Sequence, residues 1–492
     1  MAQKSLKKNA AFNFIKALAN FAFPLITFPY ASRVLMPDGI GKINFVNSII
    51  EYFVLIAELG VGSYAAREAA KIRDDKARLN AFSRDIFCLN LISTAAAFLL
   101  LIAAMLFVPK FSAYRPLFVI CSAKILFSST GMNWLFTAFE EFKYITVRSI
   151  LFQCVCLAFL FVFVRKPDDY LYYGAMGVIS YIGPNILNIF YSRKFINLFS
   201  QSGIHIRKHL KPVMVFFGTD CATKLHTAID AVILGFMMSD TAVGYYSAAS
   251  KINRIIYLVI ATTLSTFMPR GSYYLENGRH GEYRKMAHKC ENLTVFFALP
   301  ASAGLFLLAE PLLVLFCGEQ YLPAVSTMKV LCPIIFVLAF GTFLNQVVIV
   351  PQRKEKIGLI SQIVAVFLNI SLNLLFIPLW GVFGAALATL IVESVITLIK
   401  AIYCFRSIAS AAVAREAAKA AFGTLVMGAA VVFIAGRTEQ LWLQILTAIP
   451  CGIILYGIMM LVLRHETALA ALSAVKARLA RKHSGGQNEL PR

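Results

Sequence analysis

The sequence predicts an all-α polytopic membrane protein of about 14 transmembrane helices, built as two six-helix bundles in parallel repeat with two further helices appended. Three observations predict it. Hydrophobic residues make up 59% of the chain and charged residues 15%, with a mean hydropathy of +0.72, whereas a soluble domain is roughly half apolar and a quarter charged. Apolar runs near the ~20 residues that a helix needs to cross the bilayer core recur from Ala10 to Leu463. Short motifs of the first half return in the same order in the second.

Taken in order, the first span, 12–32, follows a basic N-terminus (Lys4, Lys7, Lys8) with no small-residue cleavage site after it, and so reads as an uncleaved span. Pro24 and Pro29 permit it to bend. The second, 43–62, comes after Leu35-Met36-Pro37-Asp38-Gly39-Ile40-Gly41, read as a turn in which Asp38 caps the next helix and Gly41 takes positive φ. Spans 85–108 and 116–138 are separated by Lys110 and Arg115, and spans 144–164 and 170–191 by Arg165 and Lys166. A basic stretch at 192–211 leads into 213–238 and 243–268, whose turn gives Asp240 and Gly244 the roles of Asp38 and Gly41. Spans 291–316, 324–350, 357–378 and 381–405 complete the second set, and 417–436 and 441–463 are the appended pair. The expected divisions are therefore 1–200, 201–410, 411–463 and a basic tail at 464–492. Within the tail, Thr467–Arg481 reads as an amphipathic helix lying on the lipid surface, and residues from Ser484 as disordered.

The repeat rests on three matches. Met36-Pro37-Asp38 with Gly41 corresponds to Met238-Ser239-Asp240 with Gly244; Phe139 to Lys143 corresponds to Pro351 to Lys356; Gly174-Ala175-Met176-Gly177 corresponds to Gly381-Val382-Phe383-Gly384. Parallel repeats about an axis along the membrane normal are a known transporter plan, with the substrate site between the halves.

Charge placement excludes other classes. The net charge of +22 could suggest nucleic acid, but lysines and arginines fall in alternate loops, as the positive-inside rule requires. Seven lie on the far side (Arg33, Lys42, Lys110, Arg115, Arg165, Lys166, Arg437), seven inside spans, and the other 33 of the 47 in the N-terminus, the tail and the loops around 67–84, 139–148, 192–211, 269–289, 351–356 and 406–419. Both termini are therefore expected in the cytoplasm. The far-side loops are too short to carry the extracytoplasmic domain of a membrane polymerase. No Gly-x-x-x-x-Gly-Lys-Ser/Thr loop is present, so no nucleotide drives the chain. Ten cysteines are scattered, apart from Cys154 and Cys156, without metal-ligand spacing; no metal or cofactor is expected, and the thiols read as buried and reduced.

Ionisable residues inside spans are costly and so point to a wet cavity or to one another. They concentrate in 213–268. Lys251 and Arg254, spaced i, i+3 near the midplane, suit an anionic phosphate or else pair with Glu51 or Glu58. Asp220 with Lys224, and His226 with Asp230, are i, i+4: self-neutralised pairs in a lumen wall, or a proton or sodium site with Glu51 as a further carboxylate. Lys16 and Asn20 on the first span and Lys124 on the fourth either snorkel and pack or contact substrate. Asn345, Gln346, Asn369, Asn373 and Glu393 read as interhelical hydrogen bonding or sugar contacts. The shared turns offer places to absorb hinge motion.

A resemblance rests on Phe28-Pro29-Tyr30-Ala31-Ser32-Arg33-Val34-Leu35 with Asp38, Gly39 and Gly41, on Leu59-Gly60, on Tyr64 with Arg67, and on Ile377-Pro378-Leu379-Trp380-Gly381 with Gly384, Ala388 and Thr389. Over roughly residues 10–405 the chain resembles the oligosaccharidyl-lipid flippases of the MOP superfamily, the Wzx-type exporters of O-antigen and capsule repeat units. The resemblance implies a transporter rather than an enzyme, in the bacterial inner membrane. Its implied cargo is an undecaprenyl-pyrophosphate oligosaccharide, turned to the periplasmic leaflet by alternating access coupled to H+ or Na+. Polymerase and chain-length proteins are the implied partners. The related multidrug antiporters of the MATE branch and lipid II flippases remain the competing readings, and the sign of the cavity separates the former.

Overall fold

The computed structural model describes residues 6–198, 205–408, 411–438 and 440–473, together with Lys476. Lys4, Arg478, Arg481 and the stretch from Ser484, for which a basic start, an amphipathic face and disorder were expected, lie outside them. Every regular element among the described residues is helical. Eight of these helices are long and apolar enough to cross a membrane, or nine if the bent pair Glu319–Leu331 and Ile334–Ile349 is one span. The chain is a multi-pass membrane protein.

The helices do not map one to one onto the expected spans, and the reasons are local. Helix α1 (Leu6–Glu58) contains both 12–32 and 43–62 and bends at Met36, whose φ is 60° and ψ 172°. Pro37 follows it, and a residue before proline is driven out of the helical region. The positive φ expected at Gly41 is therefore at Met36, and the second motif has none, since Met238 is extended at φ −127°; both glycines lie inside helices. Next come α2 (Val61–Ile72) and α3 (Lys76–Phe107), the latter capped by Asp75, which accepts from the Arg78 amide at 3.0 Å. The expected span 116–138 is broken into α4 (Arg115–Leu126) and α5 (Asn133–Ala138), with Met132 at φ 40° between them. Helices α6 (Phe142–Phe163), α7 (Tyr170–Ser192) and α8 (Arg207–Met237) follow. Only Ala228–Met237 of α8 reads as apolar, because Asp220, Lys224 and His226 interrupt the rest.

The second half contains α9 (Asp240–Ser265), α10 (Met268–Glu276), α11 (His280–Leu307), α12 (Ala309–Cys317), α13 (Val325–Leu331) and α14 (Ile334–Phe343), the last running into a π-helical turn at Leu344–Ile349. Thus 324–350 is broken as 116–138 is. Helix α15 (Glu355–Ile408) carries 357–378 and 381–405 across a bend at Gly381, where φ is 58°. Helices α16 (Ala411–Ala435) and α17 (Leu441–Val462) are the appended pair.

The chain forms two compact units. The first comprises Met1–Ala248 with Phe316–Gln320 and Asn369–Ala385; the second comprises Ala249–Leu315, Tyr321–Leu368 and Ala386–Arg492. In the first, the part of α1 beyond Met36 is the central helix, with Ile40, Phe45, Val46, Ile50, Val54 and Ala57 buried, and α1 packs against α3, α4, α6, α7 and α8. A second cluster at one end joins Tyr64, Phe82, Trp134, Phe136 and Val213. The second unit packs α11 against α14 and α16, and α16 against α17, around Leu308, Met427, Val431, Ala448 and Met460. Large apolar side chains left exposed, such as Phe14, Phe107, Leu425 and Val462, form the surface a bilayer covers. The ten cysteines are unpaired; six are buried as expected, whereas Cys88 and Cys221 are half-buried and Cys154 and Cys451 exposed.

Candidate functional site

In the first unit the site grows from one face of α1. Asn47, Glu51 and Glu58 are four and then seven residues apart, so they share a face over about 17 Å of helix. Each meets a different neighbour. Lys124 on α4, itself buried, donates to Asn47 Oδ1 at 2.8 Å. Lys224 on α8 lies 3.3 Å from Glu51 and 3.8 Å from Glu58. Tyr181 on α7 donates to Glu58 at 3.0 Å. Lys224, Glu51 and Glu58 have side chains 36–44% exposed, so the face borders open space. Asp220, one turn before Lys224 and within its electrostatic reach, adds a third carboxylate. Lys224 thus bridges α8 to α1, beyond the pairing within α8 that spacing alone suggests.

A second constellation surrounds Asp230, which is 5% exposed. Its Oδ2 accepts from the Tyr246 hydroxyl at 2.6 Å; its Oδ1 accepts from Asn369 Nδ2 at 3.0 Å and Asn373 Nδ2 at 2.9 Å. Asn373 also donates to Asn369 Oδ1 at 2.8 Å. Both asparagines are fully buried. Helices α8, α9 and α15 therefore bring one carboxylate, one hydroxyl and two amides together. His226, also buried, lies one turn earlier on α8.

The pair Lys251 and Arg254 is on α9 in the second unit, half-buried and exposed respectively. Arg254 and Glu393 both lie within electrostatic reach of the Tyr257 hydroxyl, which hydrogen bonds Thr342 at 2.7 Å. Glu393 also neighbours Lys400. In this unit an apolar cavity of about 470 Å³ lies among Phe296, Pro300, Leu305, Met427, Gly452 and Tyr456. Lys16 is half-buried beside Arg148 of α6, and Asn20 accepts from Gln153 at 2.7 Å.

The turn motifs do something other than turn. Asp38 pairs with Lys42 at 2.6 Å instead of capping a helix, and Asp240 accepts from the Tyr114 hydroxyl at 2.6 Å. The cap of α9 is Ser239, which accepts from the Ala242 amide at 3.3 Å. A Cβ on Gly41 would overlap the Asp240 carbonyl, and one on Gly244 would overlap the Pro37 carbonyl. Each glycine thus admits the other motif's backbone.

Sequence reasoning missed Arg148, Tyr246, Tyr181 and Asn47. Arg148 was assigned to the cytoplasmic charges of loop 139–148, because it is only a turn and a half into α6. Tyr246 carries no charge to attract attention, and Asn369 is 139 positions from Asp230.

Two solved structures share the fold of this chain. One described as "Lipid II flippase MurJ, inward closed conformation" aligns with a TM-score of 0.73 at 16% identity, over 93% of this chain and 98% of that one. An inward-facing multidrug resistance MATE family transporter of the MOP superfamily aligns with a TM-score of 0.61 at 14% identity, over 80% and 94%. At that identity the likeness establishes the fold. In sequence, the chain is 22% identical to a putative O-antigen transporter of Shigella dysenteriae over 80% of its length and 98% of that protein's. It is 24% identical to a putative O-antigen transporter of Escherichia coli (strain K12) over 80% and 95%. The MatE family matches residues 216–378. The family described as polysaccharide biosynthesis protein matches residues 6–274, more than half of the chain, and it is to this family that the chain belongs.

Proposed function

We propose that the chain is a flippase that carries an undecaprenyl-pyrophosphate-linked oligosaccharide repeat unit from the cytoplasmic to the periplasmic leaflet of the bacterial inner membrane, for surface polysaccharide synthesis. The observation that carries this reading is the match to two putative O-antigen transporters along nearly their whole length. The geometry adds a mechanism. Cations placed inside apolar helices, Lys124 and Lys16 in the first unit and Lys251 and Arg254 in the second, attract a pyrophosphate. Asn20 and Asn47 offer the neutral hydrogen bonds that sugars take.

Ion coupling falls to the carboxylates. Asp230, a buried carboxylate held by the Tyr246 hydroxyl and the Asn369 and Asn373 amides, is the proposed exchange site for H+ or Na+, with Asp220, His226 and Glu51 as further exchange groups. Binding of the ion changes the charge in the membrane and so shifts the balance between inward- and outward-open states. The divisions 1–200 and 201–410 then act as the two moving bundles, both termini are cytoplasmic, and Met36 with Gly381 and the motifs at Asp38, Gly41, Asp240 and Gly244 absorb the motion. Polymerase and chain-length proteins receive the flipped product.

A second reading has one specific observation behind it: Glu51, Glu58 and Asp220 outnumber Lys224 on the α1–α8 face, as a cation antiporter would need. Proteoliposomes separate the two. Lipid-linked oligosaccharide loaded in one leaflet becomes reachable from the other in the presence of the protein and an H+ or Na+ gradient, and Asp230→Asn removes the gradient dependence. Leaflet exchange no faster than in protein-free vesicles, beside gradient-driven uptake of a cationic dye, would replace the flippase with the antiporter.

A further inference from the structure

Arg148 is 6% exposed, inside an apolar helix, and neutral groups alone hold it. Its Nη2 donates to Asn133 Oδ1 at 3.0 Å; its Nη1 donates to the Asn188 side-chain oxygen and to the Pro184 carbonyl at 3.4 Å. The guanidinium lies 5.4 Å from the centre of the Tyr144 ring, and its buried Nε has no partner. Among the described residues no carboxylate neighbours it. A full positive charge is thus fixed in place by groups that orient it and do not neutralise it, an arrangement costly in a membrane unless an anion completes it.

A second cation adjoins it. Lys16 on α1 is half-buried, and the charge it feels is that of Arg148. Helices α1 and α6 run side by side in the same direction here: Thr146 Oγ1 donates to the Phe12 carbonyl at 3.0 Å, and Gln153 Nε2 donates to Asn20 Oδ1 at 2.7 Å. Lys16 lies midway between these two bonds. At ~1.5 Å of rise per residue, the two cations differ in height along the seam by about 3 Å. The outer flanks of the seam are apolar, with Phe14 and Leu18 on α1 and Val147 and Leu151 on α6 all exposed. An anion reaching this place therefore arrives on a lipid.

We propose that the seam between α1 and α6 binds the phosphate of a membrane lipid between Lys16 and Arg148, in the leaflet on the N-terminal side. The arginine forks phosphate oxygens in a fixed plane, and the lysine adds a mobile point charge. Two lipids carry that chemistry. A polyprenyl phosphate would make the seam a collecting point for cargo at the first unit's rim; an anionic phospholipid would make it a site for a resident lipid. The polyprenyl arm rests on the proposed function, in which Lys16 meets the cargo's pyrophosphate; the phospholipid arm does not, and binding to the purified protein is read without transport.

Native mass spectrometry of the purified full chain tests it, with undecaprenyl monophosphate or phosphatidylglycerol as the probe and undecaprenol as the phosphate-free control. Lys16→Met, at a half-exposed position, and Arg148→Lys, which keeps the charge and loses the fork, should each weaken binding of a phosphate-bearing lipid roughly tenfold and leave undecaprenol unaffected. Weakening confined to undecaprenyl monophosphate identifies the collecting point; weakening of both identifies a resident lipid site. Wild-type retention of both phosphate lipids by Lys16→Met overturns the proposal, even if the arginine variant fails to fold.

Discussion

Arg254 and Lys251 show how far spacing carries an argument about single residues. Both fall inside an apolar stretch three positions apart, and their charge was legible as a feature that a membrane does not accept without a reason. Of their neighbours, Tyr257 follows three residues later on the same helix and carries no charge to mark it, whereas Thr342 and Glu393 reach this region from other parts of the chain, at separations no periodicity reports. The same holds at Asp230, for which spacing offered His226 and the structure adds Tyr246, Asn369 and Asn373. If Lys251 and Arg254 hold the pyrophosphate, Arg254→Gln and Lys251→Gln should each lower transport roughly tenfold or more, since a charge-assisted contact to phosphate is worth about 1.5–3 kcal/mol. Surface polymer made by cells expressing each variant at wild-type level measures this. Full polymer from both variants would remove these residues from the cargo path.

At the scale of elements, apolar runs located the helices, and local chemistry decided where they break. Nothing in composition distinguishes one span from two when the chain bends without leaving a loop, as it does at Met36 and at Gly381. The motifs Asp38 to Gly41 and Asp240 to Gly244 were visible as a pair, yet their use as mutual contact points needed coordinates. Because each glycine faces the other motif's backbone rather than a movable side chain, there is little room to relax. Gly41→Ala and Gly244→Ala should each cost about 1–3 kcal/mol of stability from overpacking. Thermal unfolding in detergent reports it, and a melting temperature unchanged in both would show that the motifs do not touch so closely in the working protein.

For the whole molecule, hydropathy and charge asymmetry were enough to expect a helical transporter, because a membrane imposes its constraints on every span at once. The repeat added a plan of two bundles. The cargo is the least legible part: phosphate attracts any cation, and neutral groups such as Asn20, Asn47 and Tyr181, bonded here to Gln153, Lys124 and Glu58, mark themselves in no pattern. The central claim is that this chain moves a lipid-linked oligosaccharide, and mass spectrometry of lipid extracts from a strain lacking it tests that claim most directly. The account predicts accumulation of one undecaprenyl-pyrophosphate oligosaccharide together with loss of its surface polymer. Unchanged lipid intermediates, with the polymer intact and sensitivity to cationic drugs increased, would contradict it.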